Sequence, residues 1–169
     1  MRRDEILDRA GSLAAEYEAR YRGCAQSVLA ALQDVFDMRD DEVFKAASGL
    51  SGGSGLSGMG SCGALSGGVM AIGILFGRER NEFDDPGGKR MVAYRLASQL
   101  CDRFAEAYGS VVCREIQTVH LGREFDLWDR QDYMEFDDVA YKAGRCPELV
   151  DKAARWAAEI IMDEMEKRS

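Results

Sequence analysis

The 169 residues are enough for about one domain with a core of its own. Hydrophobic residues make up 46% and charged residues 31%, which excludes a disordered chain. The net charge of −8 argues against nucleic acid or an anionic membrane surface as partner, since both call for a basic patch. Alanine outnumbers valine, isoleucine and threonine together, and proline occurs only at Pro86 and Pro147. The expectation is therefore an all-α fold, a single-domain helical bundle over residues 1–169. The N-terminus has no apolar run of signal-peptide type, and the longest apolar stretch, 69–76, is far too short to span a membrane. A soluble, cytoplasmic protein without a membrane partner is expected.

Residues 3–21 read as an amphipathic helix, with Ile6, Ala10, Leu13, Ala14, Tyr17 and Tyr21 on one side. Gly23 breaks it, and a second helix is expected from Cys24 to Phe36. Asp40 and Asp41 look like the cap of a short helix that ends at Gly49. Residues 49–61 are mostly glycine and serine and should form a loop. A glycine-studded helix follows over 62–77, apolar nearly all round, as a buried central helix would be. Its glycines at 63 and 67, and at 73 and 77, would let neighbouring backbones approach closely. After a charged loop at 78–88, a long helix is expected over 89–108, with Cys101 on its apolar face and Gly109 as its stop. A short helix over 111–120 should follow.

Residues 122–144 mix acidic and aromatic side chains and read as a surface helix or an ordered cap rather than a binding lid. Their aromatic content makes a homodimer plausible. The last helix should open at Cys146-Pro147, since proline suits a first helical turn, and run to about Glu166. The central helix is expected between the helices 89–108 and 147–166.

Gly53-Ser54-Gly55-Leu56-Ser57-Gly58 matches GxGxxG, but the segment before it reads as a helix rather than the strand a dinucleotide site requires. The loop reads instead as a tight turn needing positive φ, and as the approach to Cys62. Four of the five cysteines sit where helices should start: Cys24, Cys62, Cys113 and Cys146. Helix N-termini favour the thiolate, which is the nucleophile and the metal ligand. Each of these cysteines extends the apolar stripe of its own helix, so the four thiols should point inward and converge. Cys101 lies mid-helix and reads as a core residue. The intervals between the four contain no CxxC, so neither a thioredoxin motif nor a zinc-finger spacing is present. The single histidine, His120, reads as a cap or a packed side chain. It could also act as base to a cysteine other than Cys113.

Cys62-Gly63-Ala64-Leu65-Ser66-Gly67, with Cys24 in GCAQSVL, Cys113 in YGSVVCREI and Cys146 in RCPELVDKAARWAAEII, resembles the four-cysteine C-GCAxxG-C-C family of redox-active proteins over roughly residues 20–160. The resemblance implies an all-helical fold with redox or metal chemistry at Cys24, Cys62, Cys113 and Cys146. Three functions compete. The thiols could exchange with disulfides, using a redox partner protein or a small thiol or disulfide. They could hold an iron–sulfur cluster or another thiolate-bound metal. Or the chain could be a helical interaction module with packed cysteines. The loop and helix start, at Gly60, Gly63, Ala64 and Gly67, are candidates for cradling a thiolate, a cluster sulfide or a small anion.

Overall fold

The computed structural model describes residues 2–169. The helices are α1 (Arg3–Tyr21), α2 (Cys24–Val35), α3 (Asp41–Ala46), α4 (Gly63–Phe76), α5 (Lys89–Tyr108), α6 (Cys113–Leu121), α7 (Arg130–Phe136) and α8 (Arg145–Arg168). Among the described residues there is no β-strand, only one isolated antiparallel bridge between Ser61 and Val112. The expected all-α class is what the chain adopts. No helix among the described residues is long and apolar enough to cross a membrane.

Helix α8 packs against α1 along a line of small residues. Ala153, Ala154, Ala157 and Ala158 are fully buried, as are Ala10 and Ala14. Small side chains on both surfaces allow two long helices to approach closely. Helix α4 runs through the middle and meets α5 and α8, as its apolar composition suggests. Gly68 marks the crossing: a methyl group there would lie 2.7 Å from Leu100 on α5 and 3.3 Å from Ala157 on α8. Its most extensive neighbour is α2, which the apolar pattern did not single out. The main core gathers Leu29, Leu32, Ile72, Leu96, Leu100, Phe104, Val150 and Ile161.

Three expectations need correction. The C-terminal glycines of α4 are not at a close crossing: Gly73 is exposed with open space where a Cβ would stand, and Gly77 is the C-cap. The helix expected from residue 111 begins at Cys113, because Val111 and Val112 are held extended by the bridge to the glycine loop. The short helix after Asp40 ends at Ala46 and passes into a 3-10 turn over Ala47–Leu50. Its cap is as expected, with Asp40 accepting from the Glu42 and Val43 amides at 3.1 and 3.0 Å.

Residues 122–144 form an ordered cap. A second, small core of Phe125, Leu127, Phe136 and Ala140 holds it together, with Cys146 and Tyr141 packed against it. Part of the aromatic content behind the homodimer expectation is thus used within the chain. Trp128 remains largely exposed but donates from Nε1 to the Gly55 carbonyl at 2.9 Å, which ties the cap to the glycine loop.

Candidate functional site

The site is built by backbone strands of loop that fix three helix starts side by side. The glycine loop folds back on itself, with Gly55, Gly58 and Gly60 donating to Gly49, Gly52 and Gly53. Its edge then pairs with the residues before α6. Cys62 N–H donates to the Val111 carbonyl at 2.8 Å, and Cys113 N–H donates to the Gly60 carbonyl at 2.9 Å. These two bonds place the Cys62 and Cys113 backbones next to each other. Gly53 lets them close: at φ +72° it takes a conformation that side-chain-bearing residues avoid, and a methyl group there would sit 2.7 Å from Cys113 Cβ.

The CGAxxG segment brings in Cys24. A Cβ at Gly63 would run into Cys24 Sγ, and one at Gly67 would run into the Ala25 carbonyl oxygen. Ala64, between them, is fully buried. The motif therefore lets the start of α4 lie directly against the start of α2. Gly60, Gly63, Ala64 and Gly67 are in the wall behind the thiols and do not themselves line the cavity in front of them.

That cavity has a volume of about 350 Å³ and is lined by all four helix-start cysteines, Cys24, Cys62, Cys113 and Cys146. None is in a disulfide. Cys101 is elsewhere, part-buried on α5 against the core, as its mid-helix position suggested. Among the described residues, no three Cys, His, Asp or Glu side chains are grouped closely enough to hold a metal ion.

The expectation of acidic thiols is reversed. Burial pushes Cys24, Cys62 and Cys113 up to about 12, and pushes Cys146 well above its ordinary value. Nearby Glu18 adds to the rise for Cys24 and Cys146, and the thiols raise one another. The helix-start amides of Ala64 and Leu65 do act in the other direction on Cys62, but more weakly than burial. Desolvation of a thiolate outweighs a helix end when little water reaches the sulfur.

Several wall residues were not visible from the cysteine pattern. Gln117 is buried, donates to Cys113 Sγ at 3.6 Å and accepts from Phe125 N–H at 2.9 Å. It couples the thiol to the cap. Arg22 stacks on the Tyr141 ring at 3.6 Å and pairs with Asp137 at 3.0 Å, fastening the cap to the end of α1. Tyr141 stands in a stretch of π-helix over Asp137–Lys142, a distortion often found at functional positions. His120 packs edge-on against Tyr108 with ring centres 5.5 Å apart. Its Nε2 lies 2.8 Å from the Arg145 carbonyl, so that nitrogen carries the proton. His120 is a packed side chain that also lines the cavity.

Glu18 is the least expected member. It is 0% exposed on α1, and its place was legible: it continues the buried line Ala10, Ala14 at four-residue intervals. Its Oε2 accepts from Ser27 Oγ at 2.9 Å, and its Oε1 has no hydrogen-bond partner. The other unpartnered buried side-chain atoms among the described residues are Ser51 Oγ and Tyr108 Oη. Ser51 lines the cavity with Cys24, and Tyr108 is outside the lining but within reach of the Cys62 and Cys146 charges. Orphaned buried polar atoms are rare in folded proteins, and two of these three belong to residues that line the thiol cavity, Glu18 and Ser51.

A family model covers residues 23–160, described as C_GCAxxG_C_C, "Putative redox-active protein". The chain belongs to the C_GCAxxG_C_C family. No curated protein and no solved structure matches the chain.

Proposed function

We propose that this member of the C_GCAxxG_C_C family carries out thiol–disulfide exchange in its cavity, with Cys24, Cys62, Cys113 and Cys146 as the reactive set and the whole chain acting as one helical domain. The observation that carries the reading is the convergence of four helix-start thiols on one cavity, while the fifth cysteine is left outside it. Two thiols and an external disulfide give one protein disulfide and two external thiols. One cavity sulfur attacks to form a mixed disulfide, and a second releases the external thiol. Cys62 and Cys113, juxtaposed by the Gly60 and Val111 hydrogen bonds, are the natural pair. Burial leaves Cys62 and Cys113 without a stabilised thiolate, and a dithiol whose ionised form is not stabilised gives up its electrons more readily, which makes the protein a reductant of its partner. Small disulfides or a redox partner protein in the cytoplasm would be the counterparts.

Free thiols counted before and after incubation with a small disulfide test this. The wild type should lose thiols in pairs and recover them with dithiothreitol. Cys101→Ser should behave like the wild type, and Cys62→Ser should lose the intramolecular reaction. An unchanged count would overturn the proposal. So would anaerobic protein that is coloured and carries stoichiometric iron and sulfide, or zinc, at the four cysteines.

A further inference from the structure

We infer that Glu18 is the proton acceptor for the cavity thiols, a role that rests on the thiol-exchange reading and extends it. Two observations on the geometry converge. Glu18 is completely buried, yet it lines the same cavity as the four cysteines. Its Oε2 is held by Ser27, which fixes the carboxyl group, while Oε1 completes no hydrogen bond, although the Tyr141 hydroxyl is close enough to act on the carboxyl.

The chemistry needs such a group. Thiols buried this deeply hold their protons at neutral pH, and a protonated sulfur does not attack a disulfide. Glu18 takes the proton of the attacking thiol and becomes a carboxylic acid. The thiolate forms a mixed disulfide and expels an external thiolate. The second cavity thiol gives its proton to that leaving group and its sulfur closes the protein disulfide. The second external thiolate then takes the proton from Glu18. Two cysteine thiols and one external disulfide are consumed, one protein disulfide and two external thiols are made, and Glu18 returns to its starting state.

The groups facing Glu18 support a carboxyl that holds a proton more readily than an ordinary carboxylate. Burial raises it above the ordinary carboxylate value, and the Ser27 and Tyr141 hydroxyls and Arg22 partly offset that rise. Arg22 is itself paired with Asp137. From α2 and the starts of α4 and α8, Cys24, Cys62 and Cys146 feel the Glu18 charge. Among these neighbours Arg22 is the cation, so the carboxyl is neither locked as an anion by several cations nor free in water. A base matched to the pH of the reaction is the efficient one.

The test is the pH profile of exchange with a chromogenic aromatic disulfide, measured on the full chain. In the wild type the rate should climb through one ionisation, raised above the carboxylate range, and level off well below the thiol range. Glu18→Gln should slow the reaction at neutral pH by about 100-fold or more and leave only an alkaline climb. Glu18→Asp should keep the lower limb at a reduced rate. Circular dichroism and the free-thiol count under denaturing conditions establish that each variant is folded and reduced. A Glu18→Gln profile superimposed on that of a reactive wild type overturns this inference alone. A wild-type rate that rises only in the alkaline range overturns it even where the variants do not fold. A wild type inert to the disulfide overturns both this inference and the thiol-exchange reading.

Discussion

The two halves of α4 carry glycines at the same four-residue interval and use them differently. In the first half, Gly63 and Gly67 lie against Cys24 and the Ala25 carbonyl at the start of α2, with no room for a side chain at either position. In the second half, Gly73 has open space around it and Gly77 ends the helix. Glycine spacing becomes close packing only where another backbone crosses. Here the crossing sits at the thiols, so the tight half of α4 is also the half that assembles the site. Two stretches with one pattern thus differ by which neighbour the tertiary fold brings to them.

Substitutions along α4 sharpen this contrast. The largest effect is expected at Gly67→Ala, because the added methyl meets a backbone carbonyl that cannot rotate away. The cost should be about 3 kcal/mol, the upper part of the overpacking range, read as a lower midpoint in urea. Gly63→Ala should cost less, about 1 kcal/mol, since the obstacle is the Cys24 side chain, which can turn. Its clearer signature is chemical: a displaced Cys24 sulfur should react up to about 100-fold more slowly within the site, while Cys101 alkylates at its usual rate. The smallest effect, with opposite sign, belongs to Gly73→Ala. An open helical position gains about 0.5–1 kcal/mol when glycine becomes alanine, and thiol exchange should not change. Equal losses at Gly67 and Gly73 would mean that the two halves of α4 are not distinguished by the α2 crossing.

A second contrast lies between the cysteines and Glu18. The thiols announce themselves by number and by position at helix starts, and the CGAxxG segment adds a recognisable signature. Glu18 lies outside the stretch that the family model covers. Its signal was an acid on the line Ala10, Ala14, which the helical reading of α1 passed over. Gln117 and Tyr141 were equally hidden, because their roles depend on the cap folding back over the cavity.

By itself, the sequence determined the all-α class, the near-correct limits of α1, α2 and α5, the burial of α4 and the division of the cysteines into four and one. These follow from periodicity, capping residues and glycine breaks, which act within a few residues along the chain. The tertiary structure decided which glycines are packed, which thiols are neighbours and whether those thiols are acidic. Cys62 and Cys113 meet through two hydrogen bonds between segments about fifty residues apart. Their protons are held by burial, which depends on every element around them and outweighs the helix ends that the sequence could show.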